Sequence, residues 1–295
     1  MLQSNLLTLG DSEKLSSLSK DTIADISKCV TRALEEDIGT GDITAMLIPY
    51  NQNSKGEVVC RDQAVICGCA WVDEVFRQID PKTTINWLVQ DGDQVMQDQL
   101  LFTITGSART LLTGERTALN FLQLLSGTAT QARHFAGLVL GSEVKILDTR
   151  KTVPGLRLAQ KYAVSIGGCY NHRIGLYDAF LIKENHIAAC GGIALAVAKA
   201  RELAPDKVVE VEVENLDGLN EALDAKADIV MLDNFSSSQL EALQHINFGE
   251  TKIEISGNIT SKTVQLYPTS SINYISSGSL TKHIRAVDLS MRLVN

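Results

Sequence analysis

The sequence predicts an α/β protein whose second half is a parallel sheet wound as an incomplete or small barrel, with an open doubly wound sheet as the alternative. Three observations carry this. The length, 295 residues, corresponds to about two domains at roughly 150 residues each. After Gly127, short apolar runs alternate with helical stretches, the pattern of parallel strands joined by right-handed crossovers. The remaining stretch of about 150 residues is too short for the roughly 250 of an eight-fold barrel.

Residues 1–18 read as a polar arm. From Ser19, the apolar residues Ile23, Ile26, Val30 and Leu34 recur at helical spacing, and Gly39 and Gly41 end that helix. Residues 56–102 read as short strands with one helix over 71–79, and Asp91-Gly92 marks a turn. The run DGDQVMQDQL (91–100) faintly resembles the hairpins of biotin- or lipoyl-carrying domains. It has no lysine to modify, so it reads as a structural hairpin. Residues 107–126 form one long helix with Leu111, Leu112, Leu119, Leu122 and Leu125 on its apolar side. Beyond it, strands are expected over 144–149, 179–184, 208–213, 229–233, 253–256 and 274–277, with a further short one at 163–166. Helices over 192–203, 216–223 and 237–245 fall between them. The domains are then 19–126 and 127–279, with a C-terminal helix over 280–295 able to join the first.

Charge and composition narrow the function. There are 27 basic and 35 acidic residues, a net charge of -8, which argues against general nucleic-acid binding. No run approaches a membrane span, and the N-terminus lacks a secretory pattern. The six cysteines form no C-x-x-C pair, so they read as reduced thiols of a cytoplasmic protein with no zinc site.

Each expected strand runs into a polar residue: Asp148-Thr149-Arg150-Lys151, then Lys183, Glu212, Asp233, Ser256 and Ser277. From Lys183 the steps are 29, 21, 23 and 21 residues, each one βα unit. In an α/β barrel the carboxyl ends of the strands converge on one face, where the chemistry is done. Between Lys145 and His186 seven basic residues (Lys145, Arg150, Lys151, Arg157, Lys161, Arg173 and Lys183) face three acids, a segment of +4 in an acidic chain. Such a local positive field suits a small, multiply anionic ligand, and arginine donates bidentately to carboxylate or phosphate. Ser256-Gly257-Asn258 and Ser277-Gly278-Ser279 each follow a strand and are expected to open a helix, an arrangement that attracts phosphate.

The motifs LDTRKTVPGLR (147–157), KYAV (161–164), NHRIGLYD (171–178) and LIKENHI (181–187) stand in this order. Upstream lie EEDIGTGDIT (35–44) and GERTALNFLQLLSG (114–127); downstream lie EVEVENL (210–216), MLDNF (231–235), ISGNIT (255–260) and SSGSLTKH (276–283). From about residue 30 to the end, the chain resembles the quinolinate phosphoribosyltransferases. It departs from the family's usual pattern at Cys169, Tyr170 and Ser279, none of which removes a charged group.

The resemblance implies an N-terminal α/β sandwich domain plus a C-terminal incomplete α/β barrel. It also implies transfer of phosphoribose from phosphoribosyl pyrophosphate to quinolinate, giving nicotinate mononucleotide, pyrophosphate and carbon dioxide, with Mg2+. It implies a homodimer in which Arg116 of the GERTALN motif completes the neighbouring subunit's site. Arg116, Arg150, His172, Arg173 and Lys183 match the family's substrate cluster. Thr149 lies in the same TRK run, and Lys151 matches the lysine near the phosphoribosyl donor. Glu212 and Asp233 match the acidic pair at the ribose and are the candidate magnesium ligands; with Lys151 they are the candidate catalytic residues. Glu210 and Glu214 share a strand face with Glu212; the pattern alone leaves the three open, and the motif points to Glu212. Rival readings are a nicotinate-specific transferase, a Schiff-base aldolase using Lys183, and a non-catalytic nucleotide sensor.

Overall fold

The computed structural model describes residues 18–264, 267 and 271–294. The expected arm lies outside these except for its last residue. In chain order the elements are α1 (Lys20–Ile38), β1 (Asn53–Cys60), β2 (Ala64–Val65), α2 (Cys69–Ile79), β3 (Thr84–Trp87), β4 (Gln94–Val95) and β5 (Leu100–Ser107). Then come α3 (Ala108–Leu138), β6 (Lys145–Leu147), α4 (Arg157–Ile166), β7 (Phe180–Ile182), α5 (Glu184–Cys190), α6 (Ile193–Leu203) and β8 (Val209–Val213). The chain closes with α7 (Leu216–Asp224), β9 (Ile229–Asp233), α8 (Ser237–Ala242), β10 (Lys252–Ser256), β11 (Tyr274–Ser276), α9 (Ser279–Lys282) and β12 (Leu289–Val294).

The described chain divides into two compact units, one of residues 18–133, 153–168 and 283–294, the other of 134–152 and 169–282. A single cut at 126/127 therefore does not reproduce the division. In the first unit α1 starts where the Ser19 hydroxyl accepts from the Thr22 N–H at 3.1 Å, buries Ile26, Val30 and Leu34, and ends at Gly39 with φ 53°. A four-stranded antiparallel sheet in the order β12-β1-β5-β3 packs with these helices around Trp71, Phe76, Phe102, Leu119, Leu122 and Leu125. This is the expected α/β sandwich.

Four local expectations are corrected here. The long helix does not stop at Ser126, because Gly127 is a close-approach residue and not a breaker: a Cβ there would lie 2.3 Å from the Arg285 carbonyl oxygen. The stretch 163–166 is the end of α4 and not a strand; Ala159 and Ala163, four apart on one face, are both buried. The tail is not a helix over 280–295 but short α9 followed by β12, whose Leu289-Ser290-Met291-Arg292 alternation pairs with β1 through Val58↔Met291. Finally, the segment 91–100 does not close on itself; its strand β4 pairs with β2, with Ala64 opposite Val95.

The second unit is a six-stranded, wholly parallel sheet in the order β6-β11-β10-β9-β8-β7. From β7 to β11 each strand adds beside the last in one direction, and β6 flanks β11. A doubly wound sheet would reverse direction at a switch point, so single winding with an opening between β6 and β7 is an incomplete barrel. Between β6 and β7 the segment 153–168, carrying α4, belongs to the other unit, and Tyr170 returns to bridge Leu147. Helices α6 and α7, with α8 and the short helical turn after it, lie where the 3.6-residue periodicity put them, and α5 is an addition.

Candidate active site

In a parallel sheet all carboxyl ends lie along one edge, and the register fixes which residues meet there. Asp233 pairs with Ser256, Met231 with Glu212, and Leu147 with Ser276. Lys183 and Ser277 stand one residue past β7 and β11, and Asp148 begins the run after β6. The expectation that strand-terminal polar residues share one edge is met. Of the seven basic residues in the cationic segment, Arg157 and Lys161 lie on α4 in the other unit. Lys145 opens β6 at the far end, 5.1 Å over the Tyr170 ring. Arg150, Lys151, Arg173 and Lys183 remain in the segments at the carboxyl edge. Arg116 is an exposed residue of α3 in the first unit.

Lys183 and Glu212 form a direct ion pair, as expected from the Ile182↔Val211 pairing that sets them side by side. The pair sets opposite charges side by side at the edge. Arg173 donates from Nη1 to the Ala179 carbonyl at 3.0 Å. Burial, then the nearby Arg150 guanidinium, pulls its pKa below the usual arginine value. The Glu210, Asp178 and Glu212 carboxylates pull it the other way, so Arg173 sits among charges of both signs at this edge.

Beneath this lies a buried layer. Asp148, with no exposure, accepts from the His172 N–H at 2.8 Å and from Asn171 Nδ2 at 2.7 Å, so it pins the Asn-His-Arg run to the end of β6. His172 Nδ1 accepts the Arg173 N–H at 2.8 Å. The ring proton therefore belongs on Nε2, which faces Glu210 Oε2 at 3.0 Å and Glu254 Oε2 at 3.6 Å. Both ring nitrogens are turned to protein groups, and His172 is buried. The three side chains come close enough to suggest a metal site, but a protonated Nε2 has no lone pair for an ion. Burial, and next the Glu210 carboxylate, pushes the Glu254 pKa up to about 8, so this acid is neutral at pH 7.

The two glycine triplets differ. Gly278 packs on the lysine, where a Cβ would lie 2.9 Å from Lys151 Cδ and 3.5 Å from Thr149 Oγ1. The Lys151 N–H donates to Thr149 Oγ1 at 3.1 Å, and its carbonyl accepts from Thr281 Oγ1 at 2.8 Å. Ser277 Oγ donates to the Ile259 carbonyl at 2.8 Å, and Ser279 opens the four-residue α9. Thr149, Lys151, Ser277, Gly278 and Ser279 are thus one constellation. After Ser256-Gly257-Asn258 the chain enters a helical turn in which the Val264 N–H donates to the Thr260 carbonyl at 3.0 Å; Gly257 has φ 98° and Asn258 φ 49°. The triplet abuts Asn234, beside Asp233.

Sequence reasoning passed over Glu254, Ser276 and Asn234. The first had a readable signal: Glu254 stands two residues before Ser256 on the same strand face, as Glu210 stands two before Glu212.

With this geometry in view, comparison with known proteins is specific. The family model "Quinolinate phosphoribosyl transferase, N-terminal domain" matches residues 42–126, and "Quinolinate phosphoribosyl transferase, C-terminal domain" matches residues 128–292. The chain is 40% identical over 267 residues to a probable nicotinate-nucleotide pyrophosphorylase [carboxylating] of Bacillus subtilis, covering 90% of this chain and 92% of that protein. It is 36% identical to the chloroplastic nicotinate-nucleotide pyrophosphorylase [carboxylating] of Arabidopsis thaliana, over 91% of this chain and 83% of the relative. Among solved structures, the nicotinate-nucleotide pyrophosphorylase from Francisella tularensis superposes with a TM-score of 0.88 at 45% identity, over 96% of this chain and all of that one.

Proposed function

Because the chain belongs to the quinolinate phosphoribosyltransferase family, we propose that the carboxyl edge of its parallel sheet is the site of the family's reaction. The enzyme transfers phosphoribose from phosphoribosyl pyrophosphate to quinolinate with decarboxylation, forming nicotinate mononucleotide for NAD synthesis. The observation that carries the assignment of the site is that Arg150, Arg173 and Lys183 all stand in segments at the carboxyl edge, with Asp148 holding the 171–173 run to the end of β6 and Lys183 paired to Glu212. Quinolinate has two adjacent carboxylates, and Arg150, Arg173 and Lys183 supply the charge to hold them. His172 serves from below, since its ring nitrogens are already engaged.

Thr149, Lys151 and the 277–279 turn hold the phosphoribosyl donor, with Ser256, Gly257 and Asn258 beside Asp233. The pyridine nitrogen attacks C1 of the ribose as pyrophosphate leaves. The ring nitrogen becomes cationic and stabilises the electron pair left on the adjacent carbon as CO2 departs, and that carbon then takes a proton from solvent. Glu212 and Asp233 stabilise positive charge developing at the ribose, and the protein otherwise works by positioning and fixed charge. Lys183, paired with Glu212, acts as a cation and not as a Schiff-base nucleophile; borohydride trapping of substrate on Lys183 would overturn that role.

The carboxylate oxygens of this edge suit a hard cation such as Mg2+. Asp233 is the better-placed ligand, because Glu212 is occupied by the Lys183 ammonium. When bound, Mg2+ would neutralise charge on the departing pyrophosphate. The reading includes a homodimer in which Arg116 of the partner subunit adds a further cation to each site. A cytoplasmic setting accords with six free thiols, and no helix among the described residues is long and apolar enough to cross a membrane.

The test is turnover of carboxyl-labelled quinolinate with phosphoribosyl pyrophosphate, with and without Mg2+. Release of labelled carbon dioxide with nicotinate mononucleotide is expected. Turnover of nicotinate without carbon dioxide would transfer the assignment to the nicotinate-specific rival. Mixing Arg116→Ala with Lys151→Ala subunits is expected to recover activity; persistent inactivity after demonstrated exchange would remove the shared site.

A further inference from the structure

Among the described residues four non-glycine positions have positive φ: Asp98, Lys226, Asn234 and Asn258. Two of the four stand at the carboxyl edge of the parallel sheet, and they touch each other. Asn234 has φ 54°, and its N–H and both amide side-chain atoms find partners nearby. Its N–H donates to the Ser256 carbonyl at 3.1 Å. Its Nδ2 donates to Asp233 Oδ2 at 2.9 Å, and its Oδ1 accepts from Asn258 Nδ2 at 3.2 Å. A Cβ on Gly257 would lie 2.3 Å from that Oδ1 and 2.7 Å from the Asn234 nitrogen. One side chain thus joins the end of β9 to the turn after β10.

We propose that Asn234 is a positioning residue that orients the Asp233 carboxylate and docks the Ser256-Gly257-Asn258 turn against it. This rests on the reading that Asp233 acts at the ribose. The left-handed backbone alone is a weaker explanation of the residue. Glycine would supply it with less strain, whereas the amide adds a donor for Asp233 and an acceptor for Asn258 from one rigid plane. A hydrogen bond from a neutral amide selects the rotamer of a carboxylate without cancelling its charge. That is what a group stabilising a developing cation requires.

Asn234→Gly separates the two explanations, since it keeps the backbone conformation and removes the amide. If Asn234 acts through Asp233, kcat falls by about tenfold or more, while KM for quinolinate stays within about twofold and the melting temperature within a few degrees. The same substitution made in an Asp233→Asn background then has little further effect, because the group it orients is already gone. A wild-type kcat in Asn234→Gly, or an equal fold-loss in both backgrounds, would overturn the proposal. Asn234→Asp is a second arm should the glycine variant fold poorly: it tolerates the same φ but sets a carboxylate against Asp233, so a still larger loss of kcat is expected, and wild-type kcat would again overturn the proposal. Full activity of Asp233→Asn would sink the role of Asp233 itself. An impaired Asp233→Asn beside an unimpaired Asn234→Gly would sink the positioning role alone.

Discussion

His172 Nε2 lies 3.0 Å from Glu210 Oε2 inside the barrel, while Nδ1 of the same ring accepts the Arg173 N–H. The imidazole is a brace between a buried carboxylate and the backbone that carries an arginine of the anion pocket. Removing it in His172→Ala takes the Nε2 donor from Glu210, leaves the Arg173 N–H without its acceptor and opens a cavity beside Glu254. Losing a hydrogen bond to a buried acceptor and leaving a cavity costs about 2–4 kcal/mol. A urea titration should show that loss; a midpoint unchanged from wild type would contradict the brace.

Glu254 makes stability depend on pH. Its folded pKa is raised from 4.5 to about 8, so between those values the native state binds a proton that the unfolded chain has released. Stability from this residue is therefore complete below about pH 4.5 and is lost as pH rises through about 8. Glu254→Gln keeps the shape and cannot ionise. Denaturation at pH 6 and pH 9 should show the variant gaining on wild type at the higher pH, by more than about 1 kcal/mol. An unchanged difference between the two pH values would refute the raised pKa.

Gly278→Ala should disturb the donor site with little effect on the fold. The new Cβ would sit 2.9 Å from Lys151 Cδ, a flexible chain that can move aside. Displacing a positioned lysine by about 1 Å is expected to cost tenfold or more in kcat/KM. The melting temperature should change by only a few degrees. A normal kcat/KM for phosphoribosyl pyrophosphate would show that Lys151 does not need this glycine.

Gly257→Ala should behave in the opposite way. At φ 98° a side chain is strained whatever the space, and here the Cβ would strike Asn234 Oδ1 at 2.3 Å. A stability loss of about 2–3 kcal/mol is expected. Gly137→Ala in α3 is the control, because a Cβ there meets nothing within 4 Å. It should be neutral or stabilising by up to about 1 kcal/mol. Equal effects at the two positions in chemical denaturation would defeat the packing explanation.

The strands of the parallel sheet were legible because each is a short apolar run ending in a polar residue one βα step from the next. The same periodicity located α1, α6 and α7. It failed at α4, where 163–166 reads as a strand until Ala159 and Ala163 are seen buried on one helical face. It failed again at β12, whose alternation acquires meaning only from β1, more than two hundred residues away. Gly127 looked like a boundary because local rules cannot see the Arg285 carbonyl pressed against it.

By itself the sequence determined which residue types reach the carboxyl edge and that the segment around Arg150 is cationic, since spacing and formal charge are local properties of a chain. It did not determine how that charge is divided. Only the tertiary structure decided that Arg157 and Lys161 belong to the other compact unit, that Lys183 pairs with Glu212, and that both nitrogens of His172 face inward. Those outcomes depend on strand register and on desolvation. Register brings distant residues within hydrogen-bonding reach, and burial then decides which of them keep a proton.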